Sequence, residues 1–343
     1  MSETSQDSTS SLTLGELLAA FGAWCRRNPA AVLLSAASVG VFTYFFGFHQ
    51  VYGNGVHSAW SWMVGSWGFE NNQEHSWVVP PLFFFLLWYH RKELRRATIA
   101  PSNAGLFIVA AGILLFIVAT RTLQGRIAVV SMATLIYGTA RYLWGRDVAR
   151  VFIFPCLFLL FMMPLGGLVQ GTVVLQLLVS SSVKFLSALI GVKIEMIGTT
   201  LKAMDGSFNF EIAEGCSGIR SLMAMTMLAA LYVHFTQKEA WKQLVIFSGS
   251  IVFALIGNIG RIFTVILFAK FIDPKVAGGI YHDYSGFIFF PIAVAAMVSF
   301  SQLVNADWKK IGERWFKPQP APAISDKPAS STGKPGGPIS YDY

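Results

Sequence analysis

Apolar residues come in long runs broken by short charged clusters, and the length of those runs is the first clue to the fold. A helix needs about 20 apolar residues to cross a bilayer core of ~30 Å. Runs of that kind, or close to it, occur at about 30–48, 77–89, 103–120, 127–144, 148–164, 218–235, 244–268 and 286–304. The first follows Arg26, Arg27 and Asn28-Pro29, a cap residue and a first-turn proline. The second stops at His90-Arg91-Lys92-Glu93-Leu94-Arg95-Arg96, and Arg141, Arg146 and Arg150 lie around the join of the fourth and fifth. A further apolar stretch, 168–190, is interrupted by Gln176, Ser180–Ser182 and Lys184. It is expected to lie in the outer interface as an amphipathic helix and not to cross. Residues 191–215 differ in kind. Their β-branched and aromatic residues partly alternate, with turn signals at Gly198 and Asp205-Gly206, which predicts a small β-hairpin-like excursion.

Composition makes the membrane reading firm. Of 343 residues 54% are apolar and 13% charged, against roughly 25% charged in soluble domains. Twenty-nine Phe and ten Trp cannot all be buried behind so little charged surface. A soluble globule, a disordered chain and a disulfide scaffold are excluded. The net charge of +8 does not point to nucleic acid, because Lys and Arg of membrane proteins collect in cytoplasmic loops. With the N-terminus inside, the clusters at Arg91–Arg96, Arg141–Arg150, Lys238/Lys242 and Lys309/Lys310/Arg314/Lys317 all fall in the cytoplasm, provided the chain crosses eight times. The expected fold is therefore an all-α polytopic membrane protein with about eight transmembrane helices. A small outer-face β-like excursion precedes the helix that carries Cys216. Residues 1–29 are expected to form a cytoplasmic segment without a secretory signal or lipid anchor. Residues 30–304 would be the integral membrane domain, and 305–343 a mostly disordered cytoplasmic tail holding six of the fourteen prolines.

Polar residues at membrane depth are costly and are candidates for function. In Glu214-Gly215-Cys216-Ser217-Gly218-Ile219-Arg220-Ser221 an extended segment turns into a helix, and the flanking glycines permit a tight turn and close backbone approach. A thiol at a helix N-terminus is favoured as thiolate; a small buried apolar cysteine is the other reading. Arg220 could lower the thiol pKa, bind a carboxylate or anchor in the interface, and Glu214 could orient the loop or simply be solvated. In Asn258-Ile259-Gly260-Arg261 the two polar residues share one helical face between apolar runs. The guanidinium there needs a partner or a wet cavity, or else snorkels at a helix end. His282 precedes the last run, on the same side as the other two in the eight-span arrangement. A thiol, an imidazole and a guanidinium together can perform acyl transfer. Cys25 and Cys156 read as structural, the remaining histidines form no metal-ligand pair, and no metal or cofactor is expected.

EGCSGIRSL, then NIGRI, then the His of YHDYSGFIFF, in this order, resemble the exosortase/archaeosortase family, and WVVPPLFFFLLWYHRKEL resembles its N-terminal region. The resemblance covers roughly Trp77 to Val304, with Cys-Ser-Gly-x-Arg-Ser as its most specific block; Gly215 stands where many members carry Ala. It implies a multi-pass enzyme of a prokaryotic cytoplasmic (inner) membrane, with its active site on the outer face. Such an enzyme would act as a sortase-like cysteine protease or transpeptidase on exported proteins ending in a short motif, a transmembrane helix and a basic tail. Cys216 would be the nucleophile, Arg261 the transition-state stabiliser and His282 the acid/base, with Arg220, Asn258, Glu214 and Ser217 in support. Membrane lipids and a lipid or polysaccharide acceptor would be further partners. The alternative is a non-enzymatic transporter or assembly subunit for envelope polysaccharide, with Arg261 lining a polar path.

Overall fold

The computed structural model describes residues 14–27, 29–52, 57–68, 71, 73–163, 169–211 and 218–306. The expected tail beyond 306 lies outside the described residues. The chain divides into two compact units, 1–301 and 302–343, and of the second only the end of the last helix is described.

Among the described residues, five of the eight expected spans are helices long and apolar enough to cross a membrane. These are α6 (Ala104–Thr122), α7 (Gly125–Trp144), α10 (Ile219–Thr236), α11 (Ala240–Phe271) and α12 (His282–Asn305). The numbering counts α1 (Leu14–Arg27), α2 (Pro29–Thr43), α3 (Ala59–Gly65), α4 (Val79–Tyr89), α5 (Arg91–Arg96), α8 (Arg146–Phe158) and α9 (Val169–Leu189) among the described elements. α2 begins on Pro29 and continues through a π-turn, Tyr44–Phe48. α1 was not foreseen: LGELLAAFGAWCRR mixes apolar and polar positions at helical spacing, but is too short and too polar to register as a span.

The three other expected spans are not continuous α-helices of spanning length. α4 has Pro80 and Pro81 in its first turn and is preceded by the 3₁₀ segment Glu74–Val78, and α8 contains Pro155 and passes into a 3₁₀ turn, Leu159–Met162. Proline removes an amide donor and crowds the preceding turn, so the α-ladder is interrupted. Their ends nevertheless meet the ends of longer neighbours. Glu74 lies 3.4 Å from Arg220 at the start of α10, and His90 Nε2 lies 3.0 Å from His234 Nε2 at its end. The stretch from Glu74 to His90 thus runs parallel beside about 21 Å of helix. At one end of α8, Asp147 and Arg150 join His90, Glu93, Arg96 and His234 around a cleft of about 500 Å³. At the other end, the carbonyl oxygens of Phe161 and Met162 accept from Ser76 Oγ (3.2 Å) and Trp67 Nε1 (3.1 Å).

Among the described residues, two clusters of buried apolar side chains stand out. One gathers Phe83, Leu86, Val129, Met132, Phe158 and Met162 among the early helices. The other joins α9 to the last third of α11 through Val179, Val183, Ile262, Val265, Ile266 and Ala269. The β excursion belongs to this second cluster through Ile194, Leu201, Ala203 and Phe208, and has three antiparallel strands and not a hairpin alone: Ile194–Ile197, Thr200–Ala203 and Asn209–Glu211. Ile194 pairs with Ala203, Ile197 with Thr200, and Leu201 with Phe210. Gly198 (φ +61°) and Gly206 (φ +75°) take the left-handed turn positions expected of them. Lys270 of α11 forms an ion pair with Asp205, fixing the sheet to the helix. Within the expected stretch, Val169–Leu189 is a single helix with Val179 and Val183 fully buried and Val174, Phe185 and Leu189 exposed. Ser181 and Ser182 return their hydroxyls to the Leu178 carbonyl at 3.0 and 2.8 Å, so they remain satisfied within the helix.

Candidate active site

Cys216, Glu214 and Ser217 lie outside the described residues, as does the side chain of His282. The structure describes what flanks them. Gly218 caps α10 with φ +83°, a conformation that costs glycine nothing. Its α-carbon packs on α11 so closely that an added Cβ would lie 2.6 Å from Asn258 Nδ2. Ser221 Oγ donates to the Gly218 carbonyl at 2.9 Å, closing the first turn. The position two residues after Cys216 is therefore fixed on the face of α11 that carries Asn258.

Asn258 is buried at 4% exposure, and Arg261 lies one turn further along. Arg261 is ten residues from the end of α11, inside the helix and not at a terminus from which it could snorkel. Its Nε donates to Ser285 Oγ at 3.1 Å, and Ser285 is itself buried. Two glycines bring α12 within reach. A Cβ on Gly257 would lie 3.2 Å from Ala293 Cβ, and one on Gly260 would lie 3.2 Å from Phe289 Cε1. His282 is the first residue of α12, three before Ser285, and Tyr281 stacks on Phe268 of α11 at 4.0 Å. That contact ties the entry of α12 to α11.

Gly218, Arg220, Ser221, Arg261, Phe287 and Pro291 surround a cleft of about 350 Å³. Two guanidiniums and the positive end of α10 face it. Such a cleft can hold an anion or a developing oxyanion, and its Phe and Pro wall suits an apolar chain. Among the described residues no group of three or more His, Cys, Asp or Glu side chains is placed to hold a metal ion.

Two residues that sequence reasoning did not single out belong here. Ser285, the partner of Arg261, lies three residues after His282, on the same helical face. Glu74 lies 3.4 Å from Arg220 Nε, with both side chains about one-third exposed. Its signal was the segment 49–76, which holds acids but no Lys or Arg and ends at an apolar run. Beside it, His75 has its pKa pushed below the usual imidazole value by burial, partly opposed by the charge of Glu74.

The fold and the cleft define a polytopic helical membrane protein with a cation-lined site where three long helices meet. Within that class, residues 60–299 match the transmembrane exosortase family (Exosortase_EpsH), and the chain belongs to it. No curated protein and no solved structure matches the chain.

Proposed function

We propose that this exosortase is a membrane-embedded cysteine peptidase or transpeptidase that cuts the C-terminal sorting signal of exported proteins. The observation that carries the reading is the convergence of Gly218, Arg220 and Arg261 on one cleft, with Asn258 packed against Gly218 and Ser285 bonded to Arg261, within a chain of the exosortase family. Cys216 attacks the scissile carbonyl, forming a C–S bond while the carbonyl electrons move onto oxygen. Arg261 stabilises that oxyanion. Collapse breaks the C–N bond, His282 protonates the departing amine, and a thioester remains. Water or an outside amine or hydroxyl then attacks the thioester, His282 takes its proton, and the thiolate returns. Mixing the purified chain in lipid with an exported protein that ends in a motif, a span and a basic tail should release the tail. Added hydroxylamine should divert the thioester to a hydroxamate. A substrate that stays full length with every such tail tried would defeat the proposal.

The eight-crossing topology, with the site on the outer face of the cytoplasmic membrane, belongs to the same proposal. Two features support it: the shared ends of Glu74–His90, Arg146–Met162 and α10, and the packing of α9 with the sheet as a cap on the last third of α11. In a chain without native cysteines, a single cysteine at position 195 should react with an impermeant thiol reagent in intact cells whose outer barrier has been opened. Reaction at 195 only in broken cells would require α9 to span, and the scheme would fail.

A further inference from the structure

Arg220 occupies the first turn of the helix that follows Cys216 and lines the same cleft as Arg261. Its Nε faces Glu74, a residue 146 positions earlier in the chain, at 3.4 Å. An ion pair this exposed adds little to stability, yet the segment that delivers the carboxylate is held with care. Gln73 and Ser76, on either side of Glu74 and His75, are fully buried. Ser76 Oγ lies 3.0 Å from Gln73 Oε1 and 3.2 Å from the Phe161 carbonyl oxygen. Trp77 Nε1 donates to the Trp67 carbonyl at 2.9 Å, and Trp67 Nε1 donates to the Met162 carbonyl at 3.1 Å. The two indoles meet edge to face at 5.1 Å. Glu74 therefore projects from a braced platform and not from a free loop. The carboxylate charge beside Nε draws the guanidinium toward this platform.

We infer that Glu74 is a positioning residue of this site, holding the Arg220 guanidinium in the cleft that Gly218 and Arg261 also line. The inference rests on Cys216 being the reactive thiol. It assigns the segment before α4 a part in the site, through Arg220 and not by contact with substrate.

The test uses full-length protein in lipid, with Cys25→Ala and Cys156→Ala so that only Cys216 can be alkylated. The rate of iodoacetamide labelling is followed against pH. Arg220→Gln removes a nearby cation and should raise the midpoint. If Glu74 tethers that cation, Glu74→Gln should also raise it, by roughly half a pH unit, the scale of a partly exposed ion pair. In the Arg220→Gln background Glu74→Gln should change nothing further. With a processed substrate, Glu74→Gln should lower kcat about tenfold, a loss on the scale of coupling between contacting charges. A purely structural Glu74 would leave the labelling midpoint in place, and a carboxylate acting directly on the thiol would move it down when removed; either result overturns the inference. Glu74→Asp, which keeps the charge, serves if Glu74→Gln does not accumulate, and should give a smaller upward shift that Arg220→Gln abolishes. Labelling needs no substrate. Normal processing by Cys216→Ala would sink the peptidase reading, whereas a flat labelling response to both Glu74 variants would sink this one.

Discussion

Replacing Cys216 by alanine is expected to abolish processing, on the order of 10⁴-fold or more, while the chain still folds and inserts. Alanine has no atom that can attack a carbonyl, and the Ser221 hydroxyl, which lines the described cleft, is committed to the Gly218 carbonyl. α10 is held by the close approach of Gly218 to Asn258 and by its buried Met225, Ala229, Ala230 and Val233. Cys25 lies half-buried in α1, and Cys156 is buried in α8 near Val130, Tyr137 and Leu160. Cys25→Ala and Cys156→Ala should therefore process substrate normally, with Cys156→Ala costing some stability from the lost packing. Comparing tail release with abundance and thermal unfolding separates the two effects. Wild-type processing by Cys216→Ala would end the thiol mechanism.

How far the sequence foretold this molecule depends on which physical signal each part carries. α6, α7, α10, α11 and α12 are uninterrupted apolar runs, and length against bilayer thickness identifies them directly. α4 is equally apolar but starts only at Val79 with Pro80 and Pro81 in its first turn, and α8 carries Arg146, Asp147 and Arg150 at its start and Pro155 near its end. Mean apolarity over a window does not register a broken hydrogen-bond ladder. The β excursion could be read from its alternation and from Gly198 and Gly206. Its third strand, Asn209–Glu211, is too short for alternation to show, and only pairing with Thr200–Ala203 reveals it. At the site, Asn258 and Arg261 stood out because polar atoms inside an apolar run need partners. Ser285 and Glu74 did not. A serine fits anywhere in a helix, and an acid in a polar loop is normally solvated, so each gains meaning only from the arginine opposite it. No periodicity links position 74 to position 220. That pairing is made by tertiary packing of the 3₁₀ segment before α4 against the turn after α8.

Arg261→Lys is expected to cost a factor of about 10²–10³ in rate, the range for losing one oxyanion donor, with little change in abundance. The structure sharpens the reason. Arg261 sits within α11, with its Nε committed to Ser285 Oγ at 3.1 Å. That bond fixes the plane of the guanidinium, and the geometry of a planar fork then sets where its outer N–H groups point. Lysine keeps a charge but is a point donor on a flexible stem, and it can shed its proton where water is scarce. Had Arg261 stood at a helix end, lysine would have snorkelled equally well. Ser285→Ala offers a graded companion: the charge stays and one orienting bond goes, so the loss should be about tenfold and should fall on kcat more than on KM. Single-turnover processing in lipid, with substrate binding measured separately, distinguishes these outcomes. A near-normal rate in Arg261→Lys would remove Arg261 from the chemistry and leave it as a bridge between α11 and α12. A normal rate in Ser285→Ala alone would show instead that the guanidinium is held by its other surroundings and not by this hydroxyl.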